Sequence, residues 1–473
     1  MKIVVLNGSP KGDLSVTMQY VAYLAQVYPQ HEFNILHIAQ RIKRLENERA
    51  IFDQVIDQVR SADAVLWGFS LYILIVHSHY KRFIELVFER GAQDAFANKY
   101  TASLSTSIHF FDHTAHNYIH GICDDLGMRF VDSFSPDMYD LMKEEGRQQL
   151  EHFAQQFFDA IENRVPTQRR YLPLTWREFA YQPELAPNPA STHGKKVVIL
   201  HDAKSPDSNL AKMVARCRSA FDGEVRVVNI YDIDIKSSCI GCLECGAENH
   251  CTFTDKDGYV EFYKSTVMTA DVLVYAGQMV DRYLSARWKT FFDRIFFNTH
   301  TPVLINKQIA LVVSGPLGQE PNLMEIMRGF FEFQGANLVG VVTDESGDSA
   351  DLDRWLDQLM ARAMAYAQAG YVRTQTFLGV GGMKIFRDDM YGRLRLIFKA
   401  DHHAYEKIGL YNTFPQSEWR TTVTNTFVTP VVDLPPVREK INKMIKKQMV
   451  IPYQQVVAKA KPANATEPSS KQE

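Results

Sequence analysis

The chain has 473 residues, 46% of them hydrophobic, a formal net charge of −3 and a pI of about 6.6. That length leaves room for about three domains with sizeable cores, and the charge excludes bulk attraction to nucleic acid or membrane as the basis of function. The opening residues pass from a short apolar stretch straight into a loop, unlike a signal sequence, and no apolar run is long enough to span a bilayer. A cytoplasmic location with reduced thiols is expected, with neither nucleic acid nor a transmembrane segment involved.

Residues 2–6 form a β-branched run that reads as a buried strand. It leads into Gly8-Ser9-Pro10-Lys11-Gly12-Asp13-Leu14-Ser15-Val16-Thr17, and then into an apolar-periodic helix through Tyr20, Val21, Leu24 and Ala25. A strand, a Gly/Ser/Thr loop and a helix N-terminus together make an anion cradle, because free amides and the positive helix end face the anion. The hydroxyls of Ser9, Ser15 and Thr17 can donate to it, and Lys11 adds charge. A plain capped helix is the alternative. The loop is neither a Walker A motif nor GxGxxG.

Further strands are expected at 33–38, 64–69, 99–107 and 129–134. Helices are expected at 46–60, 80–89, after 112, and at 144–161. Five βα units in a row predict a doubly wound, largely parallel sheet that binds ligands at the carboxyl ends of its strands. His109, His113, His116 and His120 fall at spacings of four, three and four, which suits one helix face and either a metal or a polar surface.

Residues 164–194 carry Pro166, Pro173, Pro183, Pro187 and Pro189 and read as a semi-extended linker. The alternation restarts with a strand at 196–201. Ser61-Ala-Asp63-Ala-Val65 is matched by Thr269-Ala-Asp271-Val-Leu273, and in the same ungapped register Lys81, Phe83 and Glu85 fall on Lys289, Phe291 and Asp293. That is an internal duplication. The second loop, 205–210, is a poorer copy, with Leu210 where Thr17 stands. After the strand at 224–230 come Cys239, Cys242, Cys245 and Cys251, spaced C-x2-C-x2-C-x5-C. Soft thiolates at this spacing suit a [4Fe–4S] cluster; a zinc site and plain thiols are the alternatives.

Beyond residue 371 the βα pattern ends. Gly379 to Gly382 reads as a flexible turn, 386–398 as an amphipathic helix, and 437–450 as a helix with a basic face, packed on the body or docked to an acidic partner or anionic membrane. Residues 461–473 are polar and read as disordered.

The loop from Gly8 to Thr17, the segment Phe69-Ser70-Leu71-Tyr72 and the pair Thr106-Ser107 resemble the flavodoxin-like NADPH-dependent FMN reductase superfamily. Ser70 stands where that family usually has proline. The segment Ser285 to Arg294 is similar to the family's S-x-x-x-K-x-F-x-D-R helix, and the cysteine run resembles that of the iron–sulfur flavoproteins.

The resemblance implies an α/β chain of two tandem flavodoxin-like doubly wound parallel sheets, each of order 2-1-3-4-5, with a mainly helical or irregular C-terminal extension. The expected boundaries are 1–163 for a domain with an FMN site, 164–194 for the linker, 195–371 for a second domain with the cysteine motif, 372–460 for the extension and 461–473 for the tail. Ser9, Lys11, Ser15, Val16 and Thr17 would hold the FMN phosphate. Ser70, Leu71, Tyr72, Ile73, Thr106 and Ser107 would line the ring. Cys239, Cys242, Cys245 and Cys251 would hold the cluster.

The implied function is oxidoreductase electron transfer between FMN and a [4Fe–4S] cluster, with NAD(P)H as a possible donor and a small redox partner, such as a ferredoxin-type carrier. A homo-oligomer or an intrachain pseudo-dimer is implied as well. The alternatives are a cluster-free NAD(P)H-dependent FMN or quinone reductase, and a redox- or metal-sensing adaptor with decayed flavin sites.

Overall fold

A computed structural model describes residues 1–184, 189–415, 418–432, 434–440 and 444. The first half contains β1 (Lys2–Asn7), α1 (Val16–Val27), β2 (Glu32–His37), α2 (Ile42–Asn47), α3 (Arg49–Ser61), β3 (Ala64–Tyr72), β4 (Ile75–Val76), α4 (Ser78–Glu89), β5 (Tyr100–Thr106), α5 (Asp112–Asp125), β6 (Arg129–Phe134) and α6 (Glu144–Glu162). Its five parallel strands run β2-β1-β3-β5-β6, and β4 folds back antiparallel on the end of β3. Ile3, Val4, Val5 and Leu6 are fully buried, as expected of a central strand covered by helices on both faces.

After the linker come β7 (Ala190–Ser191), β8 (Val197–His201), α7 (Asn209–Ser219), β9 (Phe221–Asp222), β10 (Val225–Asn229), α8 (Cys245–Glu248), α9 (Tyr259–Phe262), β11 (Val272–Gln278), α10 (Ala286–Arg294), β12 (Gln308–Ser314), α11 (Pro321–Phe333), β13 (Asn337–Thr343) and α12 (Ser349–Ala369). The second sheet runs β10-β8-β11-β12-β13, all parallel. Both sheets therefore have the expected 2-1-3-4-5 order.

Three expectations need correction, the first being the helix at 386–398, which stops at Tyr391, with helix resuming only at Lys399. The single helix at 46–60 is two helices, α2 and α3, because the backbone is extended at Glu48 (φ −114°, ψ 96°). The glycines read as a flexible turn lie inside α13 (Phe377–Tyr391), which packs on α11. There glycine serves close approach: a Cβ on Gly379 would stand 2.8 Å from Glu332, and one on Gly382 would collide with the Phe110 ring.

Residues 1–405 form one compact unit, and Glu406 onward forms another, which contains the helix α14 (Trp419–Val432). Of the expected basic helix only 437–440 and 444 are described; the rest of it and the tail 461–473 lie outside the described residues. Among the described residues no helix is long and apolar enough to cross a membrane.

The two sheets are joined through α4 and α10 by a reciprocal exchange of charged groups. Glu85 accepts from the Ala286 amide at the start of α10 (2.7 Å), and Asp293 accepts from the Ser78 amide at the start of α4 (2.7 Å). Lys81 bonds Glu85 (2.8 Å) and Asp281 (2.9 Å), whereas Lys289 pairs with Asp293 and donates to the Tyr72 carbonyl (2.8 Å). Both lysines are fully buried, so each depends on its carboxylates for compensation. Each half thus caps a helix of the other, through Glu85 in one and Asp293 in the other.

Candidate functional site

A cavity of ≈ 280 Å³ opens at the carboxyl ends of β1, β3 and β5. Ten of the eleven residues expected at an FMN site line it: Ser9, Lys11, Ser15, Val16, Ser70, Leu71, Tyr72, Ile73, Thr106 and Ser107. Thr17 does not. Its hydroxyl is turned into the core, donating to the Phe69 carbonyl (3.2 Å) and bonding the Thr106 hydroxyl (2.8 Å). Thr17 therefore braces two cavity strands and keeps only its amide at the helix start.

The cradle end retains unused donors. Ser15 begins α1 yet makes no capping hydrogen bond to it, and the first-turn amides of a helix have no intrahelical acceptors. Lys11 stands beside them. Along the wall, the Ser70 hydroxyl is buried without a partner among the described residues. A ligand with an anionic end and polar atoms on a flat body would satisfy these groups.

The turn between β3 and β4 was not visible in the sequence. Its two residues, Ile73 and Leu74, have φ of 38° and 66°. Such turns ordinarily use Asn-Gly, and a β-branched residue there is strained. The turn is held by the Thr114 hydroxyl, which donates to the Leu74 carbonyl (2.5 Å), and by complete burial of the Leu74 side chain against α11.

The far wall comes from elsewhere in the chain. Phe296, His300, Phe330 and Phe333 belong to the second half, and Phe386, Leu394, Ile397 and Phe398 to the extension. Gly241 and Leu243 come from the cysteine loop. Gly241 has φ 67°, and a Cβ there would collide with the Tyr72 hydroxyl and Lys11. The cysteine loop is thus pressed against the cavity floor. The His77 ring contacts the Cys239 carbonyl (2.7 Å), and Ser238 donates to Asp293 (3.1 Å).

Cys239, Cys242, Cys245 and Cys251 surround one small cavity with Phe253, Arg294 and Phe296. Burial pushes the Cys239 thiol up and the Cys245 thiol up to about 12. The Tyr72 phenol is also raised well above its ordinary value, first by burial and then by Cys239, Asp293 and the neighbouring thiols. Among the described residues no group of three or more His, Cys, Asp or Glu side chains closes on a single ion. A zinc site does not fit that arrangement. The four thiols are soft donors, the chemistry an iron–sulfur centre would need.

The four histidines of the α5 region do not converge. His109 precedes the helix and bonds Asp112 (2.9 Å), and His113 bonds Glu325 (2.8 Å). His116 sits between the hydroxyls of Ser103 (2.7 Å) and Ser105 (2.8 Å), and His120 stacks on Phe130.

The matching place in the second half is filled by the chain itself. Ser208, the counterpart of Ser15, caps its own helix through the Ala211 amide (3.2 Å). Asn209 donates to the Phe179 carbonyl (2.8 Å) and accepts from the Tyr181 amide (2.9 Å), both in the linker. A Cβ on Gly315, the counterpart of Ser107, would stand 3.2 Å from the Trp176 ring, and the Gly315 amide is taken by Asp344 (2.8 Å). Arg282 donates to the Leu172 carbonyl (2.7 Å). Residues 172–181 therefore run past all three loops that would face a ligand there.

Residues 1–160 match a family model described as a flavodoxin-like fold. No curated protein matches the chain. Similar solved structures include an NADH:FMN oxidoreductase in its apo form (20% identity, TM-score 0.29, 35% of this chain and 91% of that one). Another is the flavoenzyme NAD(P)H:(acceptor) oxidoreductase of Paracoccus denitrificans (19% identity, TM-score 0.29, 34% and 97%). A third is general stress protein 14 of Treponema denticola, in complex with FMN (12% identity, TM-score 0.26, 34% and 98%).

Proposed function

We propose that the chain is a flavin-dependent oxidoreductase that holds one FMN, in the first half, beside a [4Fe–4S] cluster carried by the second. One observation carries this reading: a single cavity is lined by the cradle and ring-contact residues of the first half and by Gly241 and Leu243, which lie between the cysteines. Bound flavin would accept two electrons as a hydride and release them singly, and a cluster would carry them one at a time.

The chain's own residues do the rest. Lys11, Ser15 and the start of α1 hold the phosphate. Ser70, Thr106 and Ser107 offer hydrogen bonds at the ring. The aromatic far wall excludes water. The reciprocal α4–α10 contacts support an intrachain pseudo-dimer in which one half lends its cysteine loop to the other's cavity. The linker across the second site supports a stoichiometry of one flavin per chain. The donor is proposed to be NAD(P)H, and the outlet a small one-electron carrier.

The cluster-free reductase is the second reading, favoured by the lack, among the described residues, of a side-chain group that closes on one ion. Anaerobic purification with FMN, iron and sulfide quantified on one sample tests both. One FMN with about four irons and four sulfides per chain supports the first reading. One FMN without iron supports the second. No FMN, even at high added concentration, refutes both and favours an adaptor that kept the fold alone.

A further inference from the structure

The cavity lining includes a histidine that the sequence did not single out. His300 stacks on Phe386 (ring centroids 4.2 Å apart, 27° between planes) and meets Phe296 and Phe398 edge-on. It is the one imidazole among the described residues lining the cavity. Its Nδ1 lies 2.9 Å from Asp401, a fully buried residue of the extension. Asp401 also accepts from the His300 amide (3.0 Å), the Thr299 hydroxyl (2.5 Å) and the Thr301 hydroxyl (2.7 Å).

A carboxylate can only accept. The Nδ1 must therefore carry the proton of the neutral ring, and Nε2 is left with its lone pair. Nε2 makes no hydrogen bond to another described residue. The backbone beside it is strained: Thr299, a β-branched residue, has φ 52° and ψ −119° and is pinned by the same carboxylate. A buried acid, three donors aimed at it and a strained residue together fix one ring orientation, with one nitrogen free.

We propose that His300 is the proton donor of the cavity and that Asp401 is its positioning residue. This rests on the flavin reading above, with a quinone-type acceptor entering the cavity in place of the one-electron carrier. The hydride donor supplies two electrons and one proton, and an acceptor reduced to its dihydro form takes two electrons and two protons. The second proton comes from solvent: Nε2 takes it up, the imidazolium is stabilised by Asp401, and Nε2 delivers it to the acceptor oxygen, which regenerates the neutral ring. Electrons and protons then balance with NAD(P)H as the only reductant. The extension thereby acquires a chemical role, since it supplies Asp401 as well as part of the aromatic wall.

The test compares two acceptors in the holoprotein: benzoquinone, which takes two protons, and ferricyanide, which takes none. FMN affinity is measured first on wild type and variants. If wild type binds no FMN, the flavin reading itself fails. With FMN bound, His300→Gln lowers the quinone-to-ferricyanide turnover ratio by about 10²-fold or more. Added imidazole partly restores the ratio in His300→Ala.

A readout independent of turnover is the nitrogen NMR spectrum of histidine-labelled protein. The neutral His300 ring carries its proton on Nδ1 in wild type and shifts toward Nε2 in Asp401→Asn. Equal loss with both acceptors, or a wild-type ring protonated on Nε2, overturns the proposal.

Discussion

Asp293 is where the two halves and the cysteine loop meet, so Asp293→Asn isolates what that junction is worth. The residue is fully buried and receives Lys289, the Ser78 amide and the Ser238 hydroxyl. Asparagine keeps the shape and one acceptor oxygen. The loss is the negative charge, which leaves the Lys289 ammonium buried without its counterion. Breaking a buried pair from one side costs about 3–5 kcal/mol, a large share of a total of roughly 5–15 kcal/mol.

The assay is urea unfolding followed by tryptophan fluorescence, to which the buried Trp288 beside Lys289 contributes. The second arm is Lys289→Met with Asp293→Asn, which removes both charges and recovers most of the loss, because two desolvation penalties vanish together with the attraction. A single variant within about 1 kcal/mol of wild type, or a double variant that merely adds to the single losses, would refute the claim that a desolvated ion pair holds this junction.

Gly241→Ala places a Cβ against Tyr72 and Lys11 at a left-handed residue; the backbone term alone costs about 1–2 kcal/mol, and FMN titration reads an affinity about tenfold weaker. Gly382→Leu drives a side chain into Phe110 and lowers stability by about 1–3 kcal/mol in the same urea assay. The fourth prediction concerns acid. Burial lowers His77 and His79 to about 3 and His116 to about 4. All three stay neutral when folded and bind protons when unfolded, so their contribution is intact above pH 6.5 and is lost as pH falls toward those values. Three protons correspond to about 4 kcal/mol per pH unit near pH 5, read as a falling urea midpoint between pH 6.5 and 5.

The parts of the site that could be read from sequence are those that depend on local pattern. A β-branched run, a Gly/Ser/Thr loop and an apolar period are local, so β1, the cradle and α1 could be located together. Ser70 to Ile73 and Thr106-Ser107 could be found because strand ends in this topology share one edge of the sheet. Thr17 is the exception among these residues, because in sequence a first-turn hydroxyl looks the same whether it faces the cavity or the Thr106 hydroxyl. Gly379 to Gly382 were misread because glycine marks both loose turns and tight helix contacts, and only the position of Phe110 and Glu332 separates them. His300, Asp401 and Trp176 gave no local signal. Each acts across more than a hundred residues of chain, where spacing carries no information.

On the proposed reading of the halves as a duplicated pair, their asymmetry follows from joining two like units in one chain. In a symmetric dimer every interface residue appears twice, so a change that improves one cavity alters the other equally. Once the units are covalently linked, each copy changes alone. Lys81 and Lys289 keep the reciprocal core of the contact, because losing either would strand buried carboxylates. The cavities are free to diverge: on the proposed reading the first keeps Ser15 unspent for a ligand, while in the second Ser208 caps its own helix and Asn209 grips the linker. The second half then contributes to the surviving cavity what a symmetric partner would have had to duplicate, namely the loop around Gly241 and the imidazole of His300.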